Sequence, residues 1–292
     1  MLQRGGGSVL SGDSYRGSSV SGTATSMRQR YAAQVVIEEL LGDESHRVRR
    51  GRFARIAGRS PLTADGMSWY RGAQGEIAVG RMLEALPTDW TVFHALPVGT
   101  KEADIDHLVV GPGGVFTINT KHHRGKPIWV ANRTLMVSGQ RQPHIRNAEH
   151  EAARVTKLLH ARLGLPGRVW PVVAIHGASS LVVKERPDLV AVLDARWLKR
   201  WLLKRPVQFG PDDIARFVGL VDDPGTWRTA ASAPCDQLLA RFDALDGEVR
   251  TAATRRFLWS IGSLVAIGAA AISVVPPLLT ALVMSVTTGL LP

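Results

Sequence analysis

A single cysteine, Cys235, stands in the chain of 292 residues. It cannot close an internal disulfide, and a cysteine zinc cage is excluded, so a reducing compartment is the expected setting. No GxxxxGK[ST] string occurs, which removes a phosphate-cradling P-loop, and without HExxH or GxSxG there is no footing for zincin or α/β-hydrolase chemistry. Acidic residues are in deficit, with 25 Asp+Glu against 36 Lys+Arg and a formal charge of +11. Such a balance suits acidic partners, either nucleic acid or anionic lipid headgroups. Residues 257–292 hold no charged side chain at all. What is present, 45% hydrophobic and 21% charged residues, belongs to a folding chain and excludes wholesale disorder.

Residues 1–27, mostly Gly, Ser and Thr, contain no apolar run of signal-peptide kind and are expected to be a disordered tail. Residues 28–69 read as a helical and basic linker. Ala32, Val36, Ile37 and Leu40 keep helical spacing, and Arg47, Arg49, Arg50, Arg52, Arg55 and Arg59 follow. That basic stretch is either a solvated linker or a polybasic contact to DNA or lipid.

Residues 70–185 carry the pattern of an α/β core. A helix is predicted over 72–86, and strands over 90–96, 103–110 and 114–121 with GPGG as the turn between the last two. A second hairpin over 128–137 turns at Asn132. A helix over 147–163 has Ala148, Ala152, Val155 and Leu159 on one stripe, and strands are predicted at 169–175 and 181–183. Residues 186–256 read as mostly helical, with Trp197, Leu198, Trp201 and Leu202 on one side as core packing. The uncharged run 257–275 is long enough to span the ~30 Å hydrocarbon core at ~1.5 Å per residue. Arg250, Arg255 and Arg256 precede it and would keep the domain before it cytoplasmic. Pro276-Pro277 is expected to break or kink the run, with the residues beyond either extending it or lying half-inserted.

The segment DIDHLVVGPGGVFTINTK (residues 104–121) concentrates the chemistry. With the turn at GPGG, Val110 pairs with Val115, Leu108 with Thr117, Asp106 with Asn119 and Asp104 with Lys121. Opposed residues project to one side, so this hairpin face gathers two carboxylates, an amide oxygen and an ammonium. Glu76 shares a helical stripe with Val79, Leu83 and Leu86. It is either a partly exposed Glu of a first helical turn or a carboxylate held among apolar neighbours, where only pairing or a metal makes burial tolerable. Asp and Glu oxygens hold Mg²⁺ or Mn²⁺, which polarises a phosphate and activates water, while a lysine beside it steadies the anionic transition state. Phosphodiester hydrolysis of DNA or RNA is the reaction this set suits.

GAQGEIAVG followed by DIDHLVVGPGGVFTINTKHHRGK resembles the nuclease-related domain (NERD) family, which is similar to the PD-(D/E)xK nuclease superfamily. The resemblance implies a restriction-endonuclease-like mixed sheet flanked by helices, here followed by a small helical segment and a C-terminal transmembrane helix. It also implies catalytic roles for Glu76, Asp106, Asn119 and Lys121, with Glu76, Asp106 and Asn119 holding Mg²⁺ or Mn²⁺; Gly125 matches the glycine after the motif. The departure is Asn119, where the family more usually has Glu or Asp. An amide oxygen ligates without charge, and Asp104 or the carbonyl of Thr120 are the candidate substitutes. His122, His123, Gln140 and Arg141 are candidate nucleic-acid contacts, the histidines with a solvated strand end as the alternative. Two functions follow: a membrane-anchored, metal-dependent nuclease, or a catalytically inactive nucleic-acid-binding or protein-interaction module on the same fold.

Overall fold

A computed structural model describes residues 26–98, 104–163, 168–227 and 235–288. The expected N-terminal tail lies outside the described residues, apart from its last two positions. The architecture is mixed α/β, with helices flanking two sheets rather than one. The first sheet has the order β1-β2-β3-β7-β9, from β1 (Thr91–Pro97), β2 (Asp104–Gly111), β3 (Gly114–His122), β7 (Val169–His176) and β9 (Ala191–Asp194). Its first three strands are antiparallel, and β7 and β9 then add in parallel. The second sheet has the order β6-β5-β4-β8, from β4 (Pro127–Ala131), β5 (Thr134–Val137), β6 (Gln140–Gln142) and β8 (Ser180–Glu185).

The turn after β2 is Pro112-Gly113, and Val110 faces Val115 and Leu108 faces Thr117 as the alternation requires. Asn132, predicted to turn the second hairpin, does so with φ 47°, a left-handed conformation that Asn adopts more readily than most residues. Among the described residues, seven α-helices complete the fold: α1 (Gln34–Gly42), α2 (Arg52–Ile56), α3 (Ala64–Glu84), α4 (His144–Leu163), α5 (Leu198–Leu203), α6 (Pro211–Asp222) and α7 (Asp236–Thr288). Helix α3 starts earlier than its spacing predicted, because Thr63 caps it, its hydroxyl accepting from the Gly66 N–H at 3.1 Å. Position 70 therefore lies inside a helix.

Two apolar clusters sandwich the first sheet. Leu108, Val110 and Val115 pack with Ala152, Val155 and Leu159 of α4, whereas Val109, Phe116 and Ile118 pack with Val79 and Leu83 of α3 and Leu198 and Leu202 of α5. A third cluster joins Ile37 and Leu40 of α1 to Tyr70 and Ala73 of α3 and to Phe242, Leu245 and Val249 of α7. The segment 186–256 is not all helix, since β9 pairs with β7 at the sheet edge. Trp197 is no core residue either; it is 57% exposed while Leu198 and Leu202 are fully buried.

Helix α7 is long and apolar enough to cross a membrane, and its apolar window is unburied. It runs through Pro276 and Pro277 without ending, in keeping with the tolerance of apolar spans for proline.

Candidate functional site

The acids gather where β2 and β3 part company. Paired residues of the hairpin end at His107 and Ile118, so the expected pairings of Asp106 with Asn119 and of Asp104 with Lys121 do not form. The Asp106 carboxylate instead accepts the Thr120 backbone N–H at 2.6 Å, a side chain taking the place of a ladder carbonyl. Asp104 pairs across to Pro97 on β1 and lies under the charge of Arg30. Arg30 itself is 3% exposed and donates to the Ala95 carbonyl at 2.8 Å.

Helix α3 brings Glu76 from the other side. This residue is 8% exposed and sits mid-helix, not in a first turn, so of the two sequence readings the buried one holds. Burial raises its pKa well above the carboxylate range, the neighbouring charge of Asp106 and that of Asp104 add to this, and Lys121 opposes it. The Asp106 pKa is also raised by burial, with Lys121 and the Thr120 N–H pulling it back. Glu76, Asp106 and Lys121 therefore share one electrostatic neighbourhood, and Asp104 contributes at its edge.

Asn119 is 4% exposed, and its amide nitrogen lies 2.8 Å from both carboxylate oxygens of Glu151 on α4. Its carbonyl oxygen Oδ1 is buried with no hydrogen-bond partner. Glu151 escaped the sequence reading, although a signal existed: it lies three residues after Ala148 and four before Val155, on the buried stripe of α4. Burial pushes Glu151 up to about 7, and Asp106 pushes the same way, while the Asn119 bond and Lys121 pull it down. Asp104 rises to about 6, again chiefly through burial.

The histidines divide. His123 stacks on His144 with Nε2 atoms 3.2 Å apart, close enough to Lys121 that its charge helps burial depress both, to about 4 and about 3. His122, next along the strand, turns to the α3 side, against Gly75, and rests edge-on to His176. Gln140 and Arg141 lie on exposed β6 with no bond to the acids. The structure thus brings together Glu76, Asp106, Asn119 and Lys121, with His123 at the rim, and leaves His122, Gln140 and Arg141 outside. A cleft of about 720 Å³ between Phe116, Trp170, Leu193 and Trp201 is at the opposite end of β3.

Burying four carboxylates around a single lysine, with Arg30 and Arg154 at the edges, is costly unless protons or a cation offset the excess charge. Among the described residues no group of three His, Cys, Asp or Glu side chains could hold a metal ion by itself. A cation here would need the free Oδ1 of Asn119, or solvent oxygens, beside Glu76 and Asp106. That oxygen-only set suits Mg²⁺ or Mn²⁺, and Mg²⁺ commonly keeps several waters.

Residues 71–176 match the nuclease-related domain. The matched stretch spans all four acids of the cluster, Glu76, Asp104, Asp106 and Glu151, and it ends with β7. A segment of 60 residues is 40% identical to an uncharacterized protein of Bacillus anthracis, covering 19% of this chain and 28% of that protein. The chain thus spans little more than a quarter of the length of that curated relative. No solved structure matches the chain. The nuclease-related domain thus contains Glu76, Asp106, Asn119, Lys121 and Glu151, and leaves α1, α2, α5, α6 and α7 outside the match.

The acid cluster makes a pH prediction. Glu151 has an ordinary value of 4.5 and a folded value of about 7, so between them the folded chain binds more protons than the unfolded one. The stability it contributes is full below ~4.5 and is lost as pH rises through ~7. The buried histidines run the opposite way at lower pH, so the informative quantity is a difference. In metal-free urea unfolding from about pH 5 to about pH 8, Glu151→Gln should gain on the wild type as pH rises. A gap that is constant or moves in favour of the wild type refutes the assignment.

Proposed function

We propose that the protein is a membrane-anchored, metal-dependent nuclease that hydrolyses phosphodiester bonds of DNA or, less favoured, RNA. The observation that carries this reading is the convergence of Glu76, Asp106, Lys121 and the Asn119–Glu151 pair in one buried, acid-rich neighbourhood. Glu76, Asp106 and the Oδ1 of Asn119 would hold Mg²⁺ or Mn²⁺; when bound, such an ion polarises a phosphate oxygen and lowers the pKa of a bound water. Asp106 is fixed by Thr120, which sets its direction. Lys121 stabilises negative charge building on the phosphate. Glu151 accepts from the Asn119 amide and orients it, placing from α4 a carboxyl group beside the position that lacks one.

The net charge of +11 supports attraction of a polyanion. A cleft of about 490 Å³ beside the end of β3 has Arg81 and Arg124 in its lining as cations that could meet a phosphate backbone, while Arg250 there is paired with Asp246. Membrane attachment is through α7, with Arg250, Arg255 and Arg256 favouring a cytoplasmic domain.

The purified chain, incubated with labelled DNA and RNA, is expected to cleave with Mg²⁺ or Mn²⁺ and to stop on addition of a chelator. Cleavage indifferent to the chelator, or no cleavage of either polymer with either metal, overturns the enzymatic reading. The uncharged Asn119 favours a second reading, an inactive nucleic-acid-binding module. Salt-sensitive binding of nucleic acid without cleavage under any of these conditions selects it.

A further inference from the structure

The basic stretch near the N-terminus and the base of α7 form one surface. Helix α2 is sealed to α7 at the level where α7 loses its charges. The carbonyl of Arg55 accepts from Nη1 of Arg255 at 2.8 Å, and the carbonyl of Ile56 accepts from Nε1 of Trp259 at 3.0 Å. Gly58, at φ +74°, lies so close that a Cβ would stand 2.6 Å from both the Ala252 carbonyl oxygen and the Arg256 nitrogen. Residues 255 and 259 are separated by ~6 Å along a helix axis, about the depth of one headgroup layer.

On this surface Phe53 is 88% exposed and Ile56 54% exposed, three residues apart on one face of α2. Arg47, Arg49, Arg52, Arg55 and Arg59 flank them along the chain, exposed and without an ion pair among the described residues; Arg50 differs, being paired with Glu248. Arg255 and Arg256 add two more charges beside Phe257, Leu258 and Trp259, all more than half exposed. Exposed apolar residues flanked by cationic ones are costly in water and well matched to an anionic bilayer surface, where rings enter the interface and arginines meet phosphates. A cleft of about 370 Å³ between α2 and α7, lined by Arg55, Thr251 and Arg255 among others, opens on the same surface.

We propose that α2 is a membrane-surface foot, with Phe53 and Ile56 set into the interface and the flanking arginines on anionic lipid headgroups. This rests on α7 spanning the bilayer, and the test separates the two claims. The full-length chain, with Cys235→Ser, is placed in nanodiscs of phosphatidylcholine with or without phosphatidylglycerol. A polarity-sensitive fluorophore is attached at Phe53→Cys, at Leu264→Cys within the span, or at Asp213→Cys on α6.

The expected result is quenching by lipid-borne nitroxide at 53 and 264 but not at 213, with the signal at 53 several-fold stronger when phosphatidylglycerol is present. Quenching at 264 with none at 53 overturns the foot alone. Absence of quenching at 264 overturns the spanning reading. Equal quenching at 53 in both lipids overturns the anionic-headgroup assignment, and shielding of 53 by added DNA instead of lipid assigns the surface to nucleic acid.

Discussion

On the nuclease reading proposed above, Asp106→Asn is expected to lower metal-dependent cleavage by about 10²–10³ in single-turnover rate while leaving the folded chain near wild-type stability, as for removal of one preorganised electrostatic contact. The amide keeps the volume and one carbonyl oxygen, so the Thr120 N–H that Asp106 now satisfies at 2.6 Å retains an acceptor. What disappears is the charge. Asp106→Ala is a harsher change, because it also orphans that buried N–H at a cost of roughly 1–3 kcal/mol. Lys121→Ala should cost a similar factor in rate, and for a different reason: it removes the nearest cation from both Glu76 and Asp106. Because the two residues act on one charge distribution, the double variant should fall well short of the product of the single losses. Gel-based cleavage beside a thermal-unfolding control reads both quantities. Cleavage that survives in both Asp106→Ala and Lys121→Ala belongs to a contaminant, and the hydrolytic reading goes with it.

Gly66→Ala destabilises the chain by about 2–3 kcal/mol, against the direction that helix propensity alone would give, since alanine gains ~1 kcal/mol over glycine inside a helix. Gly66 is in the first turn of α3, where the capping Thr63 binds the His46 carbonyl through both its N–H, at 3.0 Å, and its hydroxyl, at 3.2 Å. A Cβ on residue 66 would stand 2.3 Å from that same carbonyl oxygen. Both partners are backbone, so no rotamer relieves the collision, and relief means losing contacts worth ~0.5–1.5 kcal/mol each. Gly72 provides the contrast within the same helix. There the nearest atom to a Cβ is Val36 Cγ1 at 3.8 Å, and Gly72→Ala should stabilise by roughly 0.5–1 kcal/mol. Urea unfolding of the two variants should move in opposite directions; a stabilised Gly66→Ala would mean that the His46 segment yields freely.

The hairpin was readable because a two-residue turn and a period of 2 leave one register for Leu108 and Thr117. Its end was not readable, since alternation carries on formally through Asp106 whether or not a carboxylate has displaced the ladder. Glu76 could be placed on an apolar stripe from spacing, and the same reasoning applied to α4 would have reached Glu151, which shares a stripe with Ala148 and Val155. The start of α3 was hidden by Gly66, the one glycine of the helix ahead of the predicted 72–86, which lowers propensity while the Thr63 cap and packing fix the helix. Strand β9 is four residues long and, among the described residues, pairs with β7 alone, so nothing local marks it. Trp197 failed as a core residue because Leu198 and Leu202 already fill the face of α5 that meets the sheet.

Helix α7 has one further implication. Phe242, Leu245 and Val249 are locked against α1 and α3, and Tyr70 holds Asp246, yet the same unbroken helix continues into the apolar stretch. From Phe242 to Phe257 the rise is ~22 Å. In the anchored state proposed above, the domain rides on a rigid mast with no leash between it and the lipid. The acids are then carried at one altitude over the bilayer, and only polymer that drifts into that thin stratum can be engaged.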